Sequence, residues 1–216
     1  MGLSTFAPIT FIRQSFRDFR TTGAVAPSSP FLARAMVKGL PRRDEVPEHF
    51  RVLEVGPGTG SVTEALAARL AHRGRLDLCE LSEEFAGHLR ERLKKERRFR
   101  RLDGRIRLYQ ADVRELPPVA LYDVVVSGLP FNCFSAPEVR ELLGHFRGLM
   151  KPHGTLTFFE YVGIRKLQAP FVGPQRRQHL KEVGRVVKEF AREYQFEDEI
   201  VTLNLPPARV RHLRFL

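Results

Sequence analysis

The chain has 216 residues, a length that suits one α/β domain with a sizeable core. Hydrophobic residues make up 43% and charged residues 28% of it, which excludes an intrinsically disordered chain, a collagen and a disulfide scaffold. Lys and Arg number 36 against 25 Asp and Glu, for a net charge of +11. This excess predicts attraction to a polyanion such as nucleic acid or an anionic membrane.

Cysteine, histidine and hydropathy patterns exclude several further classes. Cys79 and Cys133 lie in apolar runs without a CxxC pair, so we expect buried, reduced thiols. The histidines show no metal-ligand spacing, and no metal is expected. No apolar run approaches the roughly 18 residues of a membrane span, and the N-terminus lacks the features of a signal peptide. We therefore expect a cytoplasmic protein that is soluble or peripheral to a membrane. We also expect a monomer.

The sequence pattern changes twice along the chain. Residues 1–49 are basic and helical, and we predict that they form an extension. Residues 50–162 alternate five short apolar runs with amphipathic segments, which predicts a parallel sheet covered by helices on both faces. Residues 163–216 contain a basic helical stretch from about 174 to 194 and two strand-like runs, 199–205 and 208–215, that predict an antiparallel hairpin. The predicted α/β domain therefore spans residues 50–216.

Acidic residues and glycines mark the ends of the first three predicted strands. The first strand runs into Glu54, Val55, Gly56, Pro57, Gly58, Thr59 and Gly60, whose alternate glycines allow a sharp turn and close approach of a ligand. Glu80 ends the second strand and Asp112 ends the third. Carboxylates at three successive strand ends can hold an amino group, a ribose and an adenine, which predicts a site for a nucleoside cofactor.

The motif series VLEVGPGTG, LCELS, YQADV and VVVSGLPF covers residues 50–162 in order. It resembles the class I S-adenosylmethionine-dependent methyltransferases. The resemblance implies a Rossmann-like, seven-stranded and mostly parallel sheet, S-adenosylmethionine as cofactor and S-adenosylhomocysteine as product. It also implies a set of cofactor contacts: Glu54, Gly56, Pro57, Gly58, Thr59, Gly60, Glu80, Leu81, Asp112, Val113 and Ser127. A dinucleotide-binding Rossmann domain is the competing interpretation, and the E-x-G-x-G-x-G pattern favours the methyltransferase.

The turn after the fourth strand is related to two families. In ribosomal RNA adenine dimethyltransferases an Asn-Leu-Pro-Tyr motif holds the flipped base, but this chain has Gly128 in place of the Asn. Phe131 could still stack on a base. The bacterial phospholipid N-methyltransferases resemble this chain more widely, in residues 23–39, 127–130 and 203–208.

The phospholipid methyltransferase resemblance implies roles for further residues. Ser28 and Ser29 would cover the cofactor, and Tyr161 would face the amine; a core-capping role for Tyr161 is an equally weighted alternative. The implied catalytic turn is Ser127, Gly128, Leu129 and Pro130. The implied substrate contacts are Phe131, Arg165 and Lys166.

An amphipathic pattern near the N-terminus predicts a helix that lies in a membrane interface. Its apolar stripe is Ile9, Ile12, Phe16 and Phe19, with Arg13, Arg17 and Arg20 between them. The alternative is a helix packed on its own domain. The basic stretches 90–107 and 165–192 can bind lipid phosphate or RNA, or form solvated surfaces.

Together these features favour an N-methyltransferase at the inner face of the cytoplasmic membrane. Its expected substrate is an aminolipid: phosphatidylethanolamine and its partly methylated forms, on the route to phosphatidylcholine, or an ornithine-type lipid. The first alternative is an adenine N6-methyltransferase that acts on ribosomal RNA or another nucleic acid, a partner we consider less favoured. The second is a cofactor-binding peripheral membrane protein without transfer activity.

Overall fold

A seven-stranded sheet forms the centre of the molecule in the computed structural model, which describes residues 28–70, 73–102, 104–162 and 173–215. The strands are β1 Arg51–Val55, β2 Arg75–Cys79, β3 Ile106–Tyr109, β4 Tyr122–Ser127, β5 Met150–Tyr161, β6 Gln195–Val201 and β7 Ala208–Arg214. Their order is β3-β2-β1-β4-β5-β7-β6. The first five strands are parallel, and β7 pairs antiparallel with both β5 and β6.

Helices cover both faces of this sheet. They are α1 Pro30–Met36, α2 Ser61–Arg69, α3 Glu83–Lys95, α4 Ala136–Leu149 and α5 Pro174–Tyr194, with short 3₁₀ helices at Arg100–Leu102, Val113–Glu115 and Phe131–Cys133. One core cluster joins Leu53 and Val125 to α4 and α5. The other joins Val52 and Val124 to α1 and α2. Strands that are buried on both faces read as continuous apolar runs, which explains their sequences.

The strand order reverses between β1 and β4. The chain moves from β1 outward through β2 to β3, then returns to β4 on the other side of β1. Loops that leave two neighbouring strands in opposite directions open a crevice at the carboxyl edge of the sheet, where α/β proteins bind their ligands. This crevice is where the sequence predicts the cofactor.

The fold prediction is confirmed, with corrections to element boundaries. The strand β5 begins at Met150, directly after α4, rather than near residue 155. The last hairpin is present, but β6 spans Gln195–Val201, so residues 202–207 form its turn instead of a strand that reaches residue 205. The edge strand β6 alternates exposed and partly buried residues, and its three acidic residues hide this pattern in the sequence.

The helix α1 is part of the core. Ser29 caps it, Pro30 follows in the first turn, and Leu32 and Met36 are fully buried. It packs on α2 and on β5, β6 and β7. Residues 30–36 of the predicted extension therefore contribute to the same core as the sheet. Within the described part of the chain, no helix is both long enough and apolar enough to cross a membrane.

Candidate cofactor and acceptor sites

The glycine loop after β1 is open towards the crevice. Gly56, Gly58 and Gly60 have φ values of +67°, +55° and +86°, a left-handed region that favours glycine. A Cβ atom on Gly58 would meet nothing within 4 Å. The loop therefore leaves room beside its backbone at Gly58, where a ligand can approach closely.

The turn after β4 closes tightly on the glycine loop. The Gly128 N–H donates to the Val55 carbonyl at 2.8 Å, and a Cβ atom on Gly128 would lie 2.6 Å from the Gly56 carbonyl oxygen. Ser127 is fully buried, and its Oγ accepts a hydrogen bond from the Leu129 N–H at 3.3 Å. The contact between two backbones therefore requires glycine at position 128, and Ser127 stabilises the turn.

Glu54 is a buried acid with a free acceptor atom. Its side chain is 2% exposed, and its Oε2 atom has no hydrogen-bond partner among the described residues. Burial raises the pKa of Glu54 to about 8; the Thr63 side chain opposes this rise, and the charge of Glu80 adds to it. A buried polar atom without a partner is costly, so this carboxyl group suits a ligand that brings a positive charge.

Glu80 is held in place by backbone donors. Its two oxygens accept hydrogen bonds from the Gly58 N–H at 3.0 Å and the Ser82 N–H at 2.8 Å. Burial raises the pKa of Glu80, and these hydrogen bonds partly oppose the effect. Each carboxylate oxygen has a second lone pair, so Glu80 can also accept hydrogen bonds from a pair of ligand hydroxyls.

Asp112 is bound by a neighbouring arginine. Its carboxylate accepts from the Arg114 N–H at 2.9 Å and from Arg114 Nε at 3.0 Å, and it also contacts Nη2. Although burial alone would raise the pKa of Asp112, the hydrogen bonds from Arg114 lower it. An apolar cleft lies between Asp112 and Glu80, lined by Leu81, Val113 and Leu129. Its apolar lining, next to two carboxylates, is of the kind that binds a planar base.

A second pocket lies at the end of β5. Its lining comes from the turn after β4, the end of β5 and the helix α5: Pro130, Phe131, Asn132, Phe159, Glu160, Tyr161, Leu180 and Val183. The Phe131 ring is 3% exposed and packs against Phe158 with ring centroids 5.0 Å apart. Tyr161 packs edge-on against Phe159, at 5.2 Å, and burial raises the pKa of its phenol. Phe131 therefore supports the pocket wall, and Tyr161 forms part of its rim.

Two residues of these sites were missed by the sequence analysis. Glu160 accepts a hydrogen bond at 2.8 Å from Nε of Arg211, a guanidinium that is 9% exposed. Asn204 accepts from the Ser29 N–H at 3.0 Å and donates to the Pro206 carbonyl at 2.7 Å. Glu160 is a further acid at a strand end, which is a signal that could have identified it. The Asn204 contact joins residues 175 positions apart, and no local pattern reveals it.

The structure positions the predicted cover residues at the N-terminal end of α1. Ser29 Oγ accepts from the Leu32 N–H at 3.1 Å, so this side chain caps the helix. Ser28 lines a groove that also contains Ser61, at the start of α2. Ser28 therefore shares a groove with the residue that follows the glycine loop, and Ser29 is fixed at the cap of α1 by Asn204.

Several predicted residues lie outside the described part of the chain. They are the predicted membrane contacts Ile9, Ile12, Arg13, Phe16, Arg17, Phe19 and Arg20 and the predicted substrate contacts Arg165 and Lys166.

Much of the basic stretch 90–107 has structural partners. Arg92 pairs with Glu64 and Glu96, and Arg105 donates to the Gly74 carbonyl at 2.9 Å. These contacts favour a structural role for both cations.

The comparisons with known proteins agree with this geometry. A family described as "Methyltransferase domain" matches residues 52–154. An ornithine lipid N-methyltransferase of Singulisphaera acidiphila is 32% identical over 152 residues, which are 67% of this chain and 73% of that protein. The chain belongs to the class I S-adenosylmethionine-dependent methyltransferases. The predicted family, the activity as an S-adenosylmethionine-dependent methyltransferase and the predicted cofactor are confirmed.

Solved structures and a second relative complete the comparison. An O-methyltransferase from Bacillus cereus in complex with S-adenosylhomocysteine has a TM-score of 0.61 and 13% identity, with 98% of this chain and 94% of that chain covered. An O-methyltransferase from Streptomyces achromogenes, solved with S-adenosylmethionine, has a TM-score of 0.57 at 16% identity, with coverages of 99% and 93%. A ribosomal RNA small subunit methyltransferase A of Synechococcus elongatus is 33% identical over 96 residues, which are 44% of this chain and 33% of that protein.

The residues of the crevice fit S-adenosylmethionine. The free Oε2 of Glu54 suits the ammonium group of the methionine portion, and the remaining lone pairs of Glu80 suit the ribose hydroxyls. The apolar cleft beside Val113 suits the adenine. When bound, the cofactor supplies a methyl group on a sulfonium, and transfer to an acceptor is an in-line displacement that needs positioning and exclusion of water.

Proposed function

We propose that this methyltransferase transfers methyl groups to the amine of a membrane aminolipid, at the inner face of the cytoplasmic membrane. The observation that carries the proposal is the extent of its similarity to the ornithine lipid N-methyltransferase, 152 residues that include 67% of the chain. Ornithine-type lipids are therefore the first substrate to test. Phosphatidylethanolamine, on a route to phosphatidylcholine, is the second.

The pocket at the end of β5 has a chemistry that suits an amine. It combines the ring of Tyr161 with the Glu160 carboxylate, one oxygen of which pairs with Arg211. A cation is stabilised both by a nearby carboxylate and by aromatic faces. Methyl transfer requires the neutral amine, and the backbone carbonyls of the turn before Pro130 can accept a hydrogen bond from it. A methylated ammonium product retains its attraction to the rings.

Residues 1–49 and two cations that follow β5 in the sequence have roles in this proposal. Ser28 and Ser29 would cover the cofactor once the substrate is bound, and the predicted helix that contains Phe16 and Arg17 would hold the enzyme on the bilayer. Arg165 and Lys166 would meet the lipid phosphate. These three roles rest on the sequence pattern and the family resemblance.

A ribosomal RNA adenine methyltransferase is the second candidate, because a relative with that name is 33% identical over 96 residues. Two observations disfavour it. The Asn that holds the base in the RNA enzymes has no counterpart here, because a side chain at position 128 would collide with the Gly56 carbonyl. Even a Cβ atom would lie 2.6 Å away. The aromatic residue of the turn, Phe131, is 3% exposed and presents little surface on which a base could stack.

The experiment that separates the candidates is methyl transfer to two acceptors. The purified full-length protein is incubated with radiolabelled S-adenosylmethionine and mixed micelles of ornithine lipid or phosphatidylethanolamine, with ribosomal RNA in a parallel reaction. We expect label in a chloroform-soluble lipid, whose head group chromatography then identifies. Label confined to RNA would establish the second candidate instead, and label in neither acceptor would refute both.

A pair of substitutions tests whether the pocket at the end of β5 receives the acceptor. Glu160→Gln keeps the shape of this side chain and removes its charge, so we expect a higher KM for the aminolipid and unchanged affinity for S-adenosylhomocysteine. The matched control is Glu197→Gln, a carboxylate on β6 that pairs with Lys38 on the surface. Equal effects of the two substitutions on KM would contradict an acceptor role for the pocket.

A further inference from the structure

The large apolar side chains that are exposed on the described surface are unevenly distributed. They are Phe31, Val119, Phe196, Ile200, Leu203 and Leu205. Four of these lie near the carboxyl edge of the parallel strands, and we call this group, Phe31, Ile200, Leu203 and Leu205, the apolar rim. The other two lie near the opposite edge, where Arg214 covers the Phe196 ring at 4.6 Å.

Three members of the apolar rim lie together. Phe31, Ile200 and Leu203 line a single groove between α1 and β6, whose charged lining residues are Arg34, Lys38 and Glu199. Leu205 follows two residues later in the same turn and is 83% exposed, the largest value among these side chains. Apolar groups grouped in this way at a surface mark an interaction site, whereas isolated ones do not.

The exposure of the two leucines is built into the turn. Asn204, between them, is 5% exposed, and its side chain binds the Ser29 N–H and the Pro206 carbonyl. Asn204 is thereby fastened inwards while Leu203 and Leu205 remain exposed, at 65% and 83%. The turn therefore presents two apolar side chains from a fixed backbone.

The apolar rim adjoins the region where the acceptor enters. The Val162 N–H donates to the Pro207 carbonyl at 2.7 Å, and Ala208 is the β7 partner of Tyr161. Asn204 connects the same turn to Ser29, at the cap of α1. The turn that carries the two leucines thus lies between the predicted cofactor cover and the pocket at the end of β5.

We propose that the apolar rim inserts into the surface of an anionic phospholipid bilayer and holds the pocket at the end of β5 against the head groups. This inference rests on the proposed function. The occupant is argued from charge and from the preceding chain. Arg34 lies exposed beside Phe31, 5.8 Å from its ring, while Lys38 in the same groove is paired with Glu197 and Glu199. Residues 1–27, with the predicted amphipathic helix and its arginines, lead directly to Ser28. Apolar side chains flanked by cations bind anionic membranes.

A single tryptophan reports the insertion directly, because the chain contains none. Leu205→Trp adds the probe to the rim, and Val119→Trp is the matched control in the exposed loop before β4. With vesicles of phosphatidylglycerol and phosphatidylethanolamine, we expect a blue shift and quenching by brominated acyl chains for Leu205→Trp only. Equal responses of both probes, or no response at position 205, would overturn the proposal.

The same probe identifies the other occupants of the rim. A blue shift that grows with protein concentration in the absence of lipid would indicate a second copy of the chain and overturn the bilayer assignment. Emission that is already blue-shifted in dilute protein, and is unchanged by vesicles, would indicate that the chain's own N-terminal residues cover the rim, and would also overturn it.

A loss-of-contact variant separates docking from the chemistry. For Leu203→Ser with Leu205→Ser we expect vesicle binding to weaken about tenfold or more, since two leucine side chains lose their apolar environment. Transfer to vesicle lipids should fall with it, while transfer to a short-chain aminolipid in solution stays unchanged. Equal loss on both substrates would contradict the docking role. Absence of lipid methylation by the unaltered protein, with vesicle binding intact, would instead contradict the proposed function alone.

Discussion

The cofactor half and the acceptor half of the crevice are built in different ways. Around the cofactor cleft, each acid is held by residues of the loops that follow β1, β2 and β3. Glu80 is held by Gly58 and Ser82, and Asp112 by Arg114. Around the acceptor pocket, the walls come from the turn after β4, the end of β5 and α5, and the adjoining cover depends on the contact between Asn204 and Ser29.

This difference determines how each half responds to change. Side chains that are oriented by neighbouring backbone donors keep their geometry when distant parts of the chain move, so the cofactor half is preorganised. The acceptor half depends on segments that approach each other only in the folded chain. A family can therefore retain its cofactor site while the acceptor changes, which is consistent with relatives whose names specify a lipid and an RNA.

The largest effect is expected where the two halves touch, at Gly128. In Gly128→Asn the new Cβ atom would lie 2.6 Å from the Gly56 carbonyl oxygen, so both loops must move. We expect affinity for S-adenosylhomocysteine to fall by about 100-fold, from an overpacking cost of up to about 3 kcal/mol. Calorimetric titration measures it. Gly144→Ala, in an exposed helix position with open space, is the control; equal affinities for the two variants would show that the loop contact is not limiting.

A smaller effect is expected at Glu80, inside the cofactor half. Glu80→Ala removes a charged acceptor for the ribose hydroxyls, and hydrogen bonds to charged groups contribute about 1.5–3 kcal/mol. Affinity for S-adenosylhomocysteine should therefore fall about 10-fold to 100-fold, without loss of the folded state in thermal unfolding. Glu83→Ala, at the exposed start of α3, should bind normally. Unchanged affinity of Glu80→Ala would reject the ribose assignment.

Glu54 makes cofactor binding depend on pH. With a pKa of about 8, the carboxyl group is mainly protonated at neutral pH, and it must release the proton to pair with an ammonium group. We expect affinity to rise between about pH 6 and pH 7.5, where an α-amino group remains mostly protonated, with net proton release near one. Titration in buffers of different ionisation enthalpy measures the release. Glu54→Gln should show none; equal release by both proteins would exclude Glu54 as the source.

Glu54 has the opposite effect on stability: in the protein without cofactor, its contribution to the free energy of unfolding decreases as the pH rises. The unfolded chain releases this proton near pH 4.5, and the folded chain near pH 8. The protonated form therefore stabilises the fold at low pH, and this contribution is lost as the pH rises towards 8.

The two halves also differ in how well the sequence predicts them. The glycine spacing, Glu54, Glu80 and Asp112 were all predicted, because strand ends in a parallel sheet meet at one edge and local patterns record them. In the acceptor half, Tyr161 was predicted at the pocket, but Glu160 and Asn204 were missed. Their partners, Arg211 and Ser29, are 51 and 175 positions away, and a single sequence does not record such contacts.

Gly128 shows a limit of a different kind. In the sequence, Gly128 indicates only the absence of an Asn amide, which is a difference in chemistry. The structure adds a steric reason, because the Gly56 backbone occupies the space that any side chain would need. Gly128 thus lacks the amide that one acceptor chemistry needs, and it also brings the backbones of the two halves into contact. The sequence indicates the first property, and only the fold reveals the second.

The smallest effect is expected on the stability of the sheet, through His212 on β7. This side chain is fully buried under α1; its Nδ1 atom lies 2.9 Å from Thr157 Oγ1, and Nε2 has no partner among the described residues. Burial lowers the pKa of His212, against the opposing charges of Glu197 and Glu199.

Because the folded state resists protonation of His212, the unfolded chain binds one more proton below the ordinary histidine pKa of about 6.5. We expect the free energy of unfolding to decrease as the pH falls from about 6.5, by up to about 1.4 kcal/mol per pH unit. Denaturant unfolding at a series of pH values measures the slope. His212→Asn, which keeps a polar atom near Thr157, should reduce the slope over this interval while S-adenosylhomocysteine binding is retained. An identical slope in both proteins would assign the acid sensitivity to groups other than His212.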